Sequence, residues 1–83
     1  MILEIRVQRL SHWDAEEHVR HVETQDMSKI MGELTETAMR YAKVRRGHWR
    51  ATAWSMSGMP VASVSVSPDA AARRNGNLRR AAV

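Results

Sequence analysis

Hydrophobic and polar residues alternate over residues 2–10, ILEIRVQRL. Leu3, Ile5 and Val7 fall on one side, and Glu4, Arg6 and Gln8 on the other. A period of two is that of a strand with one buried face. The period then changes. From Ala15 to Ala42 the residues Val19, Val22, Met27, Ile30, Met31, Leu34, Ala38, Tyr41 and Ala42 recur mostly at steps of three and four. That spacing predicts one long amphipathic helix. Asp14 followed by Glu17 has the form of a capping box at its start. Acids near that start, and Arg40, Lys43, Arg45 and Arg46 near the other end, complement the helix dipole. Gly32, inside the helix, costs about 1 kcal/mol relative to Ala. It marks a break or a place of close approach.

Alternation returns over residues 48–57, HWRATAWSMS, and 61–67, VASVSVS. Ser57-Gly58-Met59-Pro60 between them has turn chemistry, so the pair reads as a β-hairpin. Ala62, Val64 and Val66 face inward. Ser63, Ser65 and Ser67 face outward as a flat row of small residues, a candidate subunit interface. Trp49 and Trp54 fall on opposite faces of the first hairpin strand, so one of them plugs the core against the helix. Ser67-Pro68-Asp69 reads as an N-cap with proline at the first helical position, followed by a short helical turn to Arg74. Asn75-Gly76-Asn77 stops that turn, and the remainder reads as a flexible tail. The predicted fold class is α+β. An N-terminal strand precedes one long helix packed on a small antiparallel sheet that contains the hairpin: β-α-β-β plus a short C-terminal helix or tail. Residues 1–67 form the single domain, and residues 68–83 the basic C-terminal segment.

Composition narrows the function. At 83 residues, with no Phe and six Met, the chain supports one small, adaptable core. A core that thin, with no cysteine to staple it, points to oligomerisation as a source of stability. The absence of cysteine also excludes disulfides and thiolate metal sites. No apolar run approaches the roughly 20 residues of a membrane span, and the N-terminus alternates and carries charge early, unlike a signal peptide. No membrane partner is expected. Charge is uneven. Residues 1–42 hold eight acids and five bases, whereas residues 43–83 hold one acid, Asp69, and eight bases. Such polarity suits head-to-tail packing of copies, or a cationic half facing an anionic partner.

Catalytic chemistry has no visible carrier. The chain lacks a G-x-S-x-G elbow and a Gly-rich phosphate loop, and its acids at 14, 16 and 17 are explained by helix capping. His18-x-x-His21 beside Glu17 has a spacing that zinc accepts on a helix, but no third ligand is evident, so the pair reads as solvated or interfacial. The expectation is a non-enzyme with no metal or cofactor. The stretch KVRRGHWRATAW, residues 43–54, is the sharper feature. Arg45, Arg46 and Arg50, interleaved with Trp49 and Trp54 and joined by Arg73, Arg74, Arg79 and Arg80, are candidates for phosphate contacts and base stacking. The competing reading makes the same stretch the hinge between helix and strand.

In its layout and in this junction the chain resembles the small neck, or tail-completion, proteins of tailed bacteriophages, a family often labelled minor tail proteins. These carry a valine-x-threonine-glycine-x-leucine-arginine-x-serine junction between a long helix and an antiparallel hairpin. Val44, Gly47 and Arg50 match it, with Trp49 in place of leucine, Arg46 of threonine and Thr52 of serine. The resemblance spans roughly residues 1–67. Lys43 stands where the family often has proline, and the family's later alanine-rich segment is reduced to PDAAARRNGN. The resemblance implies a structural virion protein, assembled in the host cytoplasm as a homo-oligomeric ring at the head–tail junction. It would dock on other head-connector and tail proteins, without catalysis. The arginines would then line a DNA channel without reading sequence. The alternative is a small basic nucleic-acid-binding accessory protein.

Overall fold

A computed structural model describes residues 1–10 and 16–67. They form an α+β fold: β1 (Ile2–Arg9), β2 (Glu17–Glu23), α1 (Met27–Val44), β3 (Trp49–Ser55) and β4 (Pro60–Val66). The strands make one sheet in the order β2-β1-β3-β4, every neighbour antiparallel. Among the described residues one helix, α1, covers one face of the sheet. The N-terminal strand and the hairpin stand where their periodicity predicts, and one helix packs on a small antiparallel sheet as expected; the element order is β-β-α-β-β rather than β-α-β-β.

The expected start of the helix is corrected. Residues 17–23 belong to a strand, and α1 begins at Met27. The cap is Asp26, whose Oδ1 accepts from the Ser28 N–H at 2.9 Å. Thr24 Oγ1 in turn accepts from the Asp26 N–H. Glu17, expected to close a capping box, lies at the start of β2; Asp14 lies outside the described residues. The register of β2 against β1 slips between Ile5 and Arg6, where Ile5 pairs with Arg20 and Arg6 with His18. Val19 is the extra residue of this bulge. The bulge lets Val19 and Val22, three apart, both pack against the core. An i, i+3 apolar pair therefore arises here on a strand. The expected turn or helix after Ser67 lies outside the described residues.

The core sits between α1 and the sheet. Leu3, Ile5 and Val7 from β1 meet Ile30, Leu34, Ala38 and Ala42 from α1, with Trp49, Ala51, Ala53 and Val66 from the hairpin. Ala51 and Ala53 are fully buried, and their small size lets the helix lie close above β3. Trp49 then fills the space left at the end of the helix. It is 2% exposed and stacks at a tilt on Tyr41, ring centroids 5.1 Å apart. Of the two tryptophans, Trp49 is the core plug, and Trp54 stands half-buried on the opposite, helix-free face.

Candidate functional site

The helix-to-strand corner is built around Trp49. Its Nε1 donates to the Arg46 carbonyl at 2.8 Å. The guanidinium carbons of Arg45 and Arg9 lie 5.0 and 5.1 Å from its ring centroid. The backbone turns through Arg46 and Gly47, both at positive φ (52° and 105°). Glycine suits the second position, because a Cβ there would meet Arg9 Nε at 3.3 Å in addition to the backbone strain. Arg9 Nη2 donates to the Arg45 carbonyl, and the Leu10 N–H to the His48 carbonyl at 2.7 Å, which ties the end of β1 to the corner.

The predicted cations therefore do not form one cluster. Arg45 is held by Glu17 at 2.9 Å and lies over both Tyr41 and Trp49. Arg46 is exposed, and its carbonyl rather than its charge anchors Trp49. Arg50 points to the opposite face of the sheet, where it donates to Gln8 Oε1 at 2.9 Å. Arg73, Arg74, Arg79 and Arg80 lie outside the described residues. Of the junction residues, Val44 is exposed, Gly47 makes the turn, Trp49 is core and Arg50 belongs to the open face. The junction thus has a clear structural role, which is to turn the chain and lock a tryptophan into the end of the core.

The helix-free face of the sheet carries a polar network that sequence spacing did not reveal. Glu4 accepts from Arg6 at 2.8 Å and lies 2.7 Å from His18 Nδ1. The Arg6 hydrogen bond, and after it the one from His18, pull the Glu4 pKa down to about 2. The same contact pushes the Arg6 pKa up, chiefly through the hydrogen bond to Glu4. Arg6 also lies over Trp54, 5.1 Å from its ring centroid, and Trp54 Nε1 donates to Glu16 at 3.2 Å. A shallow groove of about 560 Å³ runs beside Trp54, lined also by Gln8, Arg50, Thr52, Val61 and Ser63. The alternation in the sequence foretold which residues share this face. Their pairing depended on β2, which brings His18 beside Glu4. His18 and His21 sit on that strand, not on a helix, with ring centroids 4.9 Å apart. Among the described residues no group of three His, Asp or Glu side chains is placed to hold a metal.

The two edges of the sheet differ in kind. β2 reads Glu-His-Val-Arg-His-Val-Glu and carries a bulge. β4 reads Pro-Val-Ala-Ser-Val-Ser-Val, without a charge; it opens on a proline and its register against β3 also shifts near the turn, with Val61 the extra residue between Pro60 and Ala62, and among the described residues it has one neighbour, β3. Ser63 and Ser65 are exposed on its outer face, and Ser67 follows half-buried. No helix among the described residues is long and apolar enough to cross a membrane. No family model, curated protein or solved structure matches the chain.

Proposed function

We propose that this is a structural, non-catalytic protein of a tailed-phage virion, which assembles as a homo-oligomeric ring at the head–tail junction and docks there on connector and tail proteins. The observation that carries the assembly reading is the β4 edge. Pro60 and the register shift at Val61 interrupt this edge near the turn, but from Ala62 to Val66 it is uncharged and, among the described residues, pairs on one side only, which makes that stretch a template for pairing. The viral assignment rests on the resemblance at Val44, Gly47 and Arg50. The corner supports it in one respect. Arg46 and His48 are exposed at one end of the sheet together with Lys43, so a ring of copies in one orientation would present a basic rim to DNA. Native mass spectrometry of the purified protein, together with protein analysis of purified particles, tests both parts. A closed ring and presence in particles are expected. A strict monomer at high concentration overturns the assembly reading, and absence from particles overturns the viral one.

A specific observation favours a second reading. Arg50 and Trp54 share the open sheet face, a combination of cation and aromatic that suits single-stranded nucleic acid. Arg50→Ala with Trp54→Ala is the proper probe, because these two side chains line the open-face groove, whereas Arg45 is occupied by Glu17 and Trp49 at the corner. Tight binding at physiological salt that this pair abolishes selects the nucleic-acid reading. Binding confined to low salt is generic charge attraction and leaves the first reading in place.

A further inference from the structure

Two asymmetries of the fold match each other. The helix does not lie over the middle of the sheet; it packs on β4 and β3 and scarcely touches β1. One flank of α1 is turned toward β2, where Glu33 and Thr37 meet Arg20. At about 100° per residue, Ser28, Met31, Thr35 and Met39 fall on the other flank, on the side of the β4 edge. That flank has no charged residue, and Met31 is 38% exposed. Among the described residues the β4 side is therefore an uncharged helix flank above an uncharged strand whose outer edge, from Ala62 to Val66, pairs with none of them; Pro60 and the register shift at Val61 interrupt that edge only near the turn. The β2 side is the converse, a strand that its own helix covers poorly. Val19 and Val22 are only partly buried there, and a hollow of about 290 Å³ separates Val19 from Tyr41 and Val44.

We infer that copies join β4 to the β2 of the next copy, strand to strand, so that Met31 and Met39 of one cover Val19 and Val22 of the next. The strand directions favour this occupant. With every neighbour antiparallel in the order β2-β1-β3-β4, β4 and β2 run in opposite senses. A second copy placed beside β4 in the same orientation offers an antiparallel strand with its valine face on the helix side. On the other face the same placement sets Ser63 and Ser65 beside His18 and His21. Contact between unlike surfaces is heterologous, and it repeats until it closes into a ring. Met1, Met27, Met56 and Met59, each more than half exposed, sit at one end of the sheet. In such a ring they all face one way along the axis, and the Arg-Trp corners face the other. The inference rests on the self-assembly reading and is independent of the viral assignment.

The chain has no cysteine, so each introduced thiol reports one position. Met31→Cys and Val22→Cys are made singly, then co-expressed and treated with a short thiol cross-linker. Because residue i meets residue j and not itself in a heterologous contact, the mixture should give at least about fivefold more cross-linked dimer than either variant alone. Met39→Cys with Val19→Cys repeats the test at a second pair, for the case in which a first variant fails to match the parent in far-UV circular dichroism. Self-cross-linking of Met31→Cys as strong as that of the mixture means a two-fold helix contact and overturns the proposal. No cross-link from either pair overturns it also. Particle content is measured separately. Cross-linking with no protein in particles removes only the viral assignment, and protein in particles without cross-linking removes only this junction.

Discussion

β4 and β2 are the two margins of one sheet, yet they are held by different physics. β4 lies under the helix, and its inward residues share the core with Leu34 and Ala38. β2 lies beyond the helix. Its ties to the helix side are mostly polar, Arg20 to Glu33 and Thr37 and Glu17 to Arg45, with Val19 and Val22 packed only partly against the core. Exposed ion pairs contribute on the order of 0–1 kcal/mol, whereas a fully buried leucine or isoleucine contributes about 1.5–3 kcal/mol. Most of the stability therefore belongs to the β4 half. The β2 half is an annex, well placed by geometry but weakly secured. The β2 edge carries charges, which oppose edge pairing along its length, whereas the β4 edge is uncharged and interrupted only near the turn, by Pro60 and the register shift at Val61.

The largest expected effect breaks the comparison directly. Leu34 is fully buried on the helix, and Leu34→Ala should cost about 2–5 kcal/mol, enough to unfold much of a domain this small. Val22→Ala, on the annex, should cost no more than about 1 kcal/mol, since its side chain already meets solvent. Urea unfolding of both variants gives the two numbers. Similar losses would mean that β2 shares the core fully.

A smaller effect of opposite sign concerns the helix itself. A Cβ on Gly32 would meet nothing within 4 Å. Gly32→Ala should therefore stabilise by about 0.5–1 kcal/mol through helix propensity alone, raising the thermal midpoint. A loss instead would show that the bare backbone there is in use by a close contact. Below that comes Arg20→Ala. It removes the link from β2 to Glu33 and Thr37 and should cost at most about 1 kcal/mol, with the difference from the parent shrinking in high salt. Hydrogen exchange should locate the loss in β2 and leave β3 and β4 protected.

The part of the fold that sequence disclosed follows from unbroken periods. β1 alternates without interruption, and the hairpin does so away from the register shift near its turn; Trp49 shares its parity with Ala51 and Ala53, so its inward direction was implicit in the pattern. β2 was hidden because its bulge converts the period of a strand into the i, i+3 spacing of a helix at Val19 and Val22. The signal that could have exposed it is Thr24-Gln25-Asp26, a second and better helix start, with valines rather than helix formers ahead of it. The candidate site was legible only as composition. Arg45 looks free in the sequence, but the residues that engage it come from positions 17, 41 and 49. Arg45 and Arg50 look like neighbours, and the sheet puts them on opposite faces. Long-range pairing decides which cations remain free, and pattern along the chain does not report it.

The smallest expected effect is a pH dependence confined to the annex side. Glu4 lies on β1 and faces His18 across to β2, with Arg6 closing the group. Those two hydrogen bonds, that of Arg6 foremost, lower its pKa from 4.5 to about 2 on folding. A group whose folded pKa is depressed stabilises the fold above its unfolded value and loses that contribution as pH falls through the folded one. The window is therefore from about pH 4.5 down to about pH 2. Across it, protonating Glu4 weakens a contact between β1 and β2 that β3 and β4 do not share. In an acid titration followed by NMR, the β2 amides should lose protection before those of the hairpin. Glu4→Gln should flatten the dependence in that window while lowering protection of β2 at neutral pH. Superimposable titrations of parent and variant would show that Glu4 plays no part in holding the annex, and would leave Arg20 and Arg45 as its charged ties to the rest of the fold.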